Sequence, residues 1–138
     1  HESFGSWSAQ VATVTVSKAG ELSVDKIVAS IDCGTVINPD GVKAQMEGSI
    51  VYGLTSTLKG DISIEKGAVA QSNFHDFELL QIDEMPKVEI HIVPSIEPPS
   101  GAGEPGLPPV APAVANAIFN ANGKRVRKLP IKSKDLKV

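Results

Sequence analysis

The sequence predicts an α+β fold, a mostly antiparallel sheet packed by one long and one shorter helix. Three observations carry that expectation. β-Branched runs alternate near the start and again past the middle of the chain. An apolar stripe recurs every four residues between 41 and 58, and a second helical pattern follows a proline-rich stretch near residue 109. At 138 residues the chain has the length of one domain, and 41% hydrophobic with 21% charged residues is ordinary for a globular one.

Taken in order, His1 to Trp7 reads as an irregular lead-in around Gly5. Val11, Val14 and Val16 alternate with threonines. Lys18-Ala19-Gly20 follows, and Leu22, Val24, Ile27, Val28 and Ile31 form a second β-branched run ending near Asp32-Cys33-Gly34. This is the pattern of an antiparallel hairpin. Asn38-Pro39-Asp40 stops the chain and restarts it as a helix expected over 41–58, with Val42, Met46, Ile50, Leu54 and Leu58 on one face. Its other face carries Gln45, Gly48, Ser49 and Tyr52, and glycines at 48 and 53 weaken a helix unless something approaches its backbone closely. Residues 61–65 and 68–74 alternate around Lys66-Gly67 and predict a second hairpin. Residues 75–86 have no clean period, while 87–94 alternate again, with Val88, Ile90 and Ile92 or Val93 as the inward set. A last helix is expected over 109–121, stopped by Asn122-Gly123.

The net charge of −3 does not build a surface for nucleic acid or an anionic membrane, and no run of the chain is long and apolar enough to span one. Residues 1–130 read as one unit. Seven of the thirteen basic side chains fall at or after Lys124, so 131–138 is expected to be a solvated basic tail. The single cysteine, Cys33, cannot form an internal disulfide or by itself build a thiolate metal site, and reads as a small buried hydrophobe at the end of a strand. His1, His75 and His91 are too scattered for a local metal pattern, so no metal ligand is assigned. The chain opens at His1 without a methionine or a signal peptide, and reads as part of a longer polypeptide.

The stretch from Pro94 to Pro112 holds seven of the ten prolines and frames Glu104 between Gly103 and Pro105. Proline fixes the backbone and glycine frees it, so a carboxylate is held on a stiffened loop just ahead of a helix. No Lys or Arg lies between Lys87 and Lys124, so a cation for Glu104 must come from elsewhere in the fold or from a ligand. Taken alone, a glutamate in a surface loop is more often solvated than catalytic. Gln45, on the glycine-bearing helix face, fits a hydrogen bond to a ligand or a plain surface position equally well.

Two motifs at a distance change that balance: Gln45-Met46-Glu47-Gly48 with Gly53-Leu54 a turn later, and Gly101-Ala102-Gly103-Glu104-Pro105-Gly106. With Asp32-Cys33-Gly34-Thr35-Val36-Ile37-Asn38-Pro39 before them and Gln71-Ser72-Asn73-Phe74-His75-Asp76 between, they resemble the C-terminal part of the molybdopterin-binding subunit of xanthine dehydrogenase and aldehyde oxidase-family molybdenum hydroxylases, isoquinoline 1-oxidoreductase type. The resemblance covers nearly the whole chain to about Pro130. It implies the fold of a molybdenum cofactor-binding domain and the hydroxylation, with water, of a carbon in an N-heteroaromatic ring or an aldehyde. By motif, Glu104 matches the active-site glutamate acting as general base, and Gln45 a glutamine that hydrogen-bonds the pterin. Gly48 beside it fits close approach of the cofactor. The resemblance further implies a molybdopterin cofactor in its cytosine dinucleotide form, iron–sulfur clusters on a partner subunit, and the remainder of the molybdenum subunit as a neighbour. The 138 residues by themselves are expected to be inactive. The competing expectation is a non-catalytic module that docks on a partner through its helix faces.

Overall fold

The structure, a computed structural model, describes residues 1–137. Strands β1 (Glu2–Ser3), β2 (Ser6–Val16), β3 (Leu22–Asp32) and β6 (Lys87–Ile92) form one sheet in the order β1-β2-β3-β6; β4 (Ile64–Glu65) and β5 (Ala68–Val69) pair separately. Helices α1 (Pro39–Leu58) and α2 (Val110–Asn122) pack against the sheet, α2 along β2 and α1 against α2 and β6. A short helix, α3 (Ser133–Leu136), ends the described chain. The architecture is α+β with a mostly antiparallel sheet, as the sequence predicts.

The hairpin of β2 and β3 is its frame, paired from Trp7 opposite Asp32 to Val16 opposite Leu22. Val24 is buried, and so are Ile27, Ala29 and Ile31, a set that shifts from even to odd numbers.

 The shift needs an extra residue, and the pairing supplies it: Thr13 faces Lys26 and Val14 faces Val24, which leaves Asp25 as a bulge. Its carboxylate accepts hydrogen bonds from Thr15 Oγ1 at 2.7 Å and Ser23 Oγ at 2.8 Å. Without the bulge, Ile27, Ala29 and Ile31 would face solvent.

Helix α1 begins where Asn38 accepts a hydrogen bond from the Gly41 N–H (3.1 Å), with Pro39 in the first turn, where its missing N–H costs nothing. Met46, Ile50 and Leu54 are fully buried, and Val42 and Leu58 at the ends of the stripe are partly so. Helix α2 buries Val110, Val114 and Ile118, and Gly123 closes it in the left-handed conformation, its N–H donating to Phe119 O at 2.8 Å.

Strand β6 lies parallel to β3, from Lys26 opposite Lys87 to Ile31 opposite Ile92. Val88, Ile90 and Ile92 face the core side. The second hairpin is shorter than the sequence suggests. Only two residues pair on each side of Lys66-Gly67, and all of 61–70 is exposed, so no core face rewards a longer ladder.

The C-terminal stretch differs from the expected solvated tail. Ile131 and Leu136 are buried in the same core as the helices, the Ile131 N–H donates to Thr57 O at 2.8 Å, and Asn122 Nδ2 donates to Leu136 O at 3.2 Å. Lys132, Lys134 and Lys137 remain exposed, and Lys132 pairs with Asp61. Two apolar side chains anchor a segment whose charges alone suggest solvent. Val138, the last residue of the expected tail, lies outside the described residues.

Candidate functional site

The parallel pairing of β3 and β6 brings the ends of both strands to one rim, and the proline-rich loop crosses that rim. Thr35 N–H donates to Glu97 O (2.8 Å) and Ser100 N–H to Cys33 O (2.9 Å), tying the loop to the chain leaving β3. Gly34 makes this approach possible. It has φ +74°, and a Cβ there would lie 2.1 Å from Pro98 O. Asp32 accepts the Gly34 N–H at 3.2 Å and so caps the turn.

The loop then passes over α1. Ser49 Oγ lies 2.7 Å from Gly103 O and 2.9 Å from Gln45 O, so its one proton is shared between a loop carbonyl and its own helix. Pro105 and Gly106 are buried beneath this contact, while Gly103 and Glu104 stay exposed above it. Between loop and helix lies a hollow of about 330 Å³, lined by Gln45, Gly48, Ser49, Tyr52, Gly103, Glu104 and Leu107. The structure thus brings together Gln45, Gly48 and Glu104, which the sequence places 59 positions apart at the extremes. A Cβ on Gly103 would sit 3.5 Å from Gln45 Nε2.

The two helix glycines separate here. A Cβ on Gly53 would lie 2.6 Å from Val110 Cγ2, so this glycine lets α1 and α2 meet. A Cβ on Gly48 would meet nothing within 4 Å, and the backbone there is open to the hollow. Tyr52, a turn further on, is 71% exposed. An amide, a phenol and a bare stretch of helix backbone therefore face a carboxylate, with no cation among the lining residues.

Sequence reasoning finds the helix face and the carboxylate but not Leu107, which completes the floor. It also misses Ser6 and Gln10 of β2, which donate to Gly101 O and Gly106 O, each at 2.6 Å. Their signal was available: polar residues at inward positions of a strand whose later inward positions are apolar. Elsewhere, Cys33 is buried, and burial together with the nearby Asp32 carboxylate raises its thiol pKa. His91 contacts Glu89 at 2.8 Å on the exposed face, and His75 lies 3.7 Å from Asp76. Among the described residues no three His, Cys, Asp or Glu side chains are grouped to hold a metal ion, and no helix is long and apolar enough to cross a membrane.

The family model described as molybdopterin cofactor-binding domain matches residues 2–86, more than half of the chain. The chain belongs to this family. Gln45 and Gly48 lie within the matched span of the molybdopterin cofactor-binding domain, and Glu104 lies beyond it. Among curated proteins, the chain is 40% identical over 131 residues to a membrane-bound aldehyde dehydrogenase [pyrroloquinoline-quinone] of Gluconacetobacter polyoxogenes, covering 94% of this chain and 17% of that protein. It is 37% identical over 111 residues to isoquinoline 1-oxidoreductase subunit beta of Brevundimonas diminuta, covering 80% of this chain and 14% of that one. The aldehyde oxidoreductase structure from Desulfovibrio desulfuricans superposes with a TM-score of 0.81 at 28% identity, over 96% of this chain and 15% of that chain. The chain therefore spans less than a fifth of the length of each of these relatives.

Proposed function

We propose that this molybdopterin cofactor-binding domain supplies the general base and part of the pterin-binding surface of a molybdenum hydroxylase that oxidises an aldehyde or N-heteroaromatic carbon with water. The observation that carries the reading is the shared hollow of Glu104, Gln45 and Gly48. Molybdopterin, when bound, supplies a metal centre that accepts electrons from the substrate carbon.

The residues present fit one wall of such a group. Gly48 leaves helix backbone open where a side chain would intrude, Gln45 offers both an amide donor and an acceptor, and Tyr52 offers a ring and a hydroxyl. Glu104 stands across the hollow on a loop stiffened by proline. A general base must lie within hydrogen-bond reach of the proton it takes, and a carboxylate on a fixed loop meets that demand without reordering during the reaction. The other walls come from the remainder of the molybdenum subunit, since a hollow of this size holds no dinucleotide-sized group. The 138 residues by themselves are accordingly inactive. The pterin these residues would hold is in its cytosine dinucleotide form, and iron–sulfur clusters on a partner subunit would serve as its electron acceptors.

The test is Glu104→Gln in the full-length enzyme, which keeps shape and removes the proton acceptor. Turnover should fall by about 100-fold or more while molybdenum content stays near wild type. Unchanged turnover removes Glu104 from the chemistry and favours the non-catalytic docking module. A second reading follows from the Gluconacetobacter relative, whose name carries pyrroloquinoline quinone. Metal analysis separates the two: a purified active enzyme with quinone and no molybdenum would establish the second.

A further inference from the structure

Glu104 is held by carbonyls on both sides of it, and the donors to those carbonyls come from outside the loop. Six prolines between 94 and 109 lack an N–H, so the loop has few donors with which to fold on itself. Ser6 Oγ lies 2.6 Å from Gly101 O, Ser49 Oγ 2.7 Å from Gly103 O, and Gln10 Nε2 2.6 Å from Gly106 O. A carbonyl can only accept, so the Ser6 proton goes to Gly101 O. In the Ser6 and Ser100 pair, at 2.7 Å, Ser100 is then the donor. Ser100, itself in the loop, donates to Ser6, which in turn donates to Gly101 O, while Ser49 and Gln10 hold the next two points.

Gln10 is the most telling of the three. Its Nε2 must face Gly106 O, which leaves Oε1 buried with no partner among the described residues. An apolar side chain would fill the same space without an unpaired acceptor. Further along the strand the inward positions are indeed apolar, with Ala12, Val14 and Val16 against the core. The inward face is polar at Ser6, Ser8 and Gln10; Ser6 and Gln10 reach the loop, while Ser8 Oγ is buried with no partner among the described residues.

We propose that Gln10 is a positioning residue for Glu104, acting through the Gly106 carbonyl, with Ser49 as its counterpart at Gly103. This rests on the reading of Glu104 as the base. Gln10 touches no reacting atom; it fixes the height of the loop above the sheet. A misplacement of about 1 Å in a reacting group is enough to cost on the order of 100-fold in rate.

The experiment compares Gln10→Leu, Ser49→Ala and Glu104→Gln in the full-length enzyme. Each is read by molybdenum content, thermal midpoint, kcat and KM per molybdenum, and hydrogen exchange across residues 101–107. For Gln10→Leu the expected result is a fall in kcat of about 10- to 100-fold with KM within about twofold. Exchange in the loop should be faster, with molybdenum content and the exchange of β2 and β3 unchanged. Wild-type kcat per molybdenum, or a loss explained wholly by missing molybdenum, overturns the inference. If Gln10→Leu does not fold, Ser49→Ala decides by the same criteria. An inactive Glu104→Gln beside a fully active Gln10→Leu sinks the positioning role alone, whereas a fully active Glu104→Gln sinks the reading beneath it.

Discussion

Two glycines of helix α1 should respond to the same substitution with opposite signs. Gly48 and Gly53 both sit inside α1, where alanine is intrinsically favoured over glycine by about 0.8–1 kcal/mol. At Gly48 a Cβ meets nothing within 4 Å, so Gly48→Ala should keep most of that gain and raise the thermal midpoint of the chain by roughly 3 °C. At Gly53 the new carbon would lie 2.6 Å from Val110 Cγ2 and 3.0 Å from Leu107 O, against an optimum of about 3.5–4.0 Å between carbons. Val110 is fully buried and Leu107 O is backbone, so neither yields freely. Overpacking of this kind costs about 1–3 kcal/mol, which outweighs the helical gain and leaves Gly53→Ala net destabilised by up to about 2 kcal/mol. Adding Val110→Ala removes the methyl at 2.6 Å but keeps Val110 Cβ at 2.8 Å, so the double variant should relieve only part of the clash and lose somewhat less than the two single losses added together. Calorimetry or urea melts of the wild type, the three single variants and the double variant decide it. A Gly48→Ala protein less stable than wild type, or a Gly53→Ala protein more stable, would refute the packing argument. In the loaded enzyme Gly48→Ala should also lower molybdenum content, because the added methyl enters the hollow.

Leu136→Ala should cost about 2–5 kcal/mol in urea unfolding, since Leu136 is fully buried; a solvated tail would give no change. Asp76 is held at a pKa of about 2, below its ordinary 3.8, by the backbone N–H groups of Asn73 and Ser72 and by the Ser72 hydroxyl. Its contribution is therefore present above about pH 3.8 and lost as pH falls through 2. A carboxyl carbon titration by NMR should show that low midpoint, and Asp76→Asn should abolish the pH dependence of the 72–76 turn; a midpoint near 4 would contradict it.

The elements legible in the sequence are those with local causes. The first hairpin follows from alternating β-branched residues, α1 from its four-residue stripe and proline start, and α2 from its glycine stop. The start of β2 was hidden because Ser6, Ser8 and Gln10 occupy inward positions that a hydrophobic pattern expects to be apolar. The parallel pairing of β6 with β3 depends on a partner more than fifty residues away, and no local pattern encodes it. The second hairpin was overdrawn because alternation without a burying surface does not make a long ladder. The carboxylate, the amide and Gly48 were legible as motifs. That they share one hollow is a consequence of the loop crossing α1, which only the fold reveals.

Strand β6 is fixed against β3 along its whole length, whereas the connection from Lys59 to Pro86 is largely exposed and only lightly paired. Loop length is cheap, because closure entropy grows only with its logarithm. That connection is an adjustable part mounted beside an unadjustable one. Leu80, Gln81, Ile82 and Met85 within it border a second hollow on the other flank of Gly48, shared with Ala44, Glu47 and Val51. Lengthening or trimming this segment can therefore re-contour one side of the helix while Glu104 stays where it is.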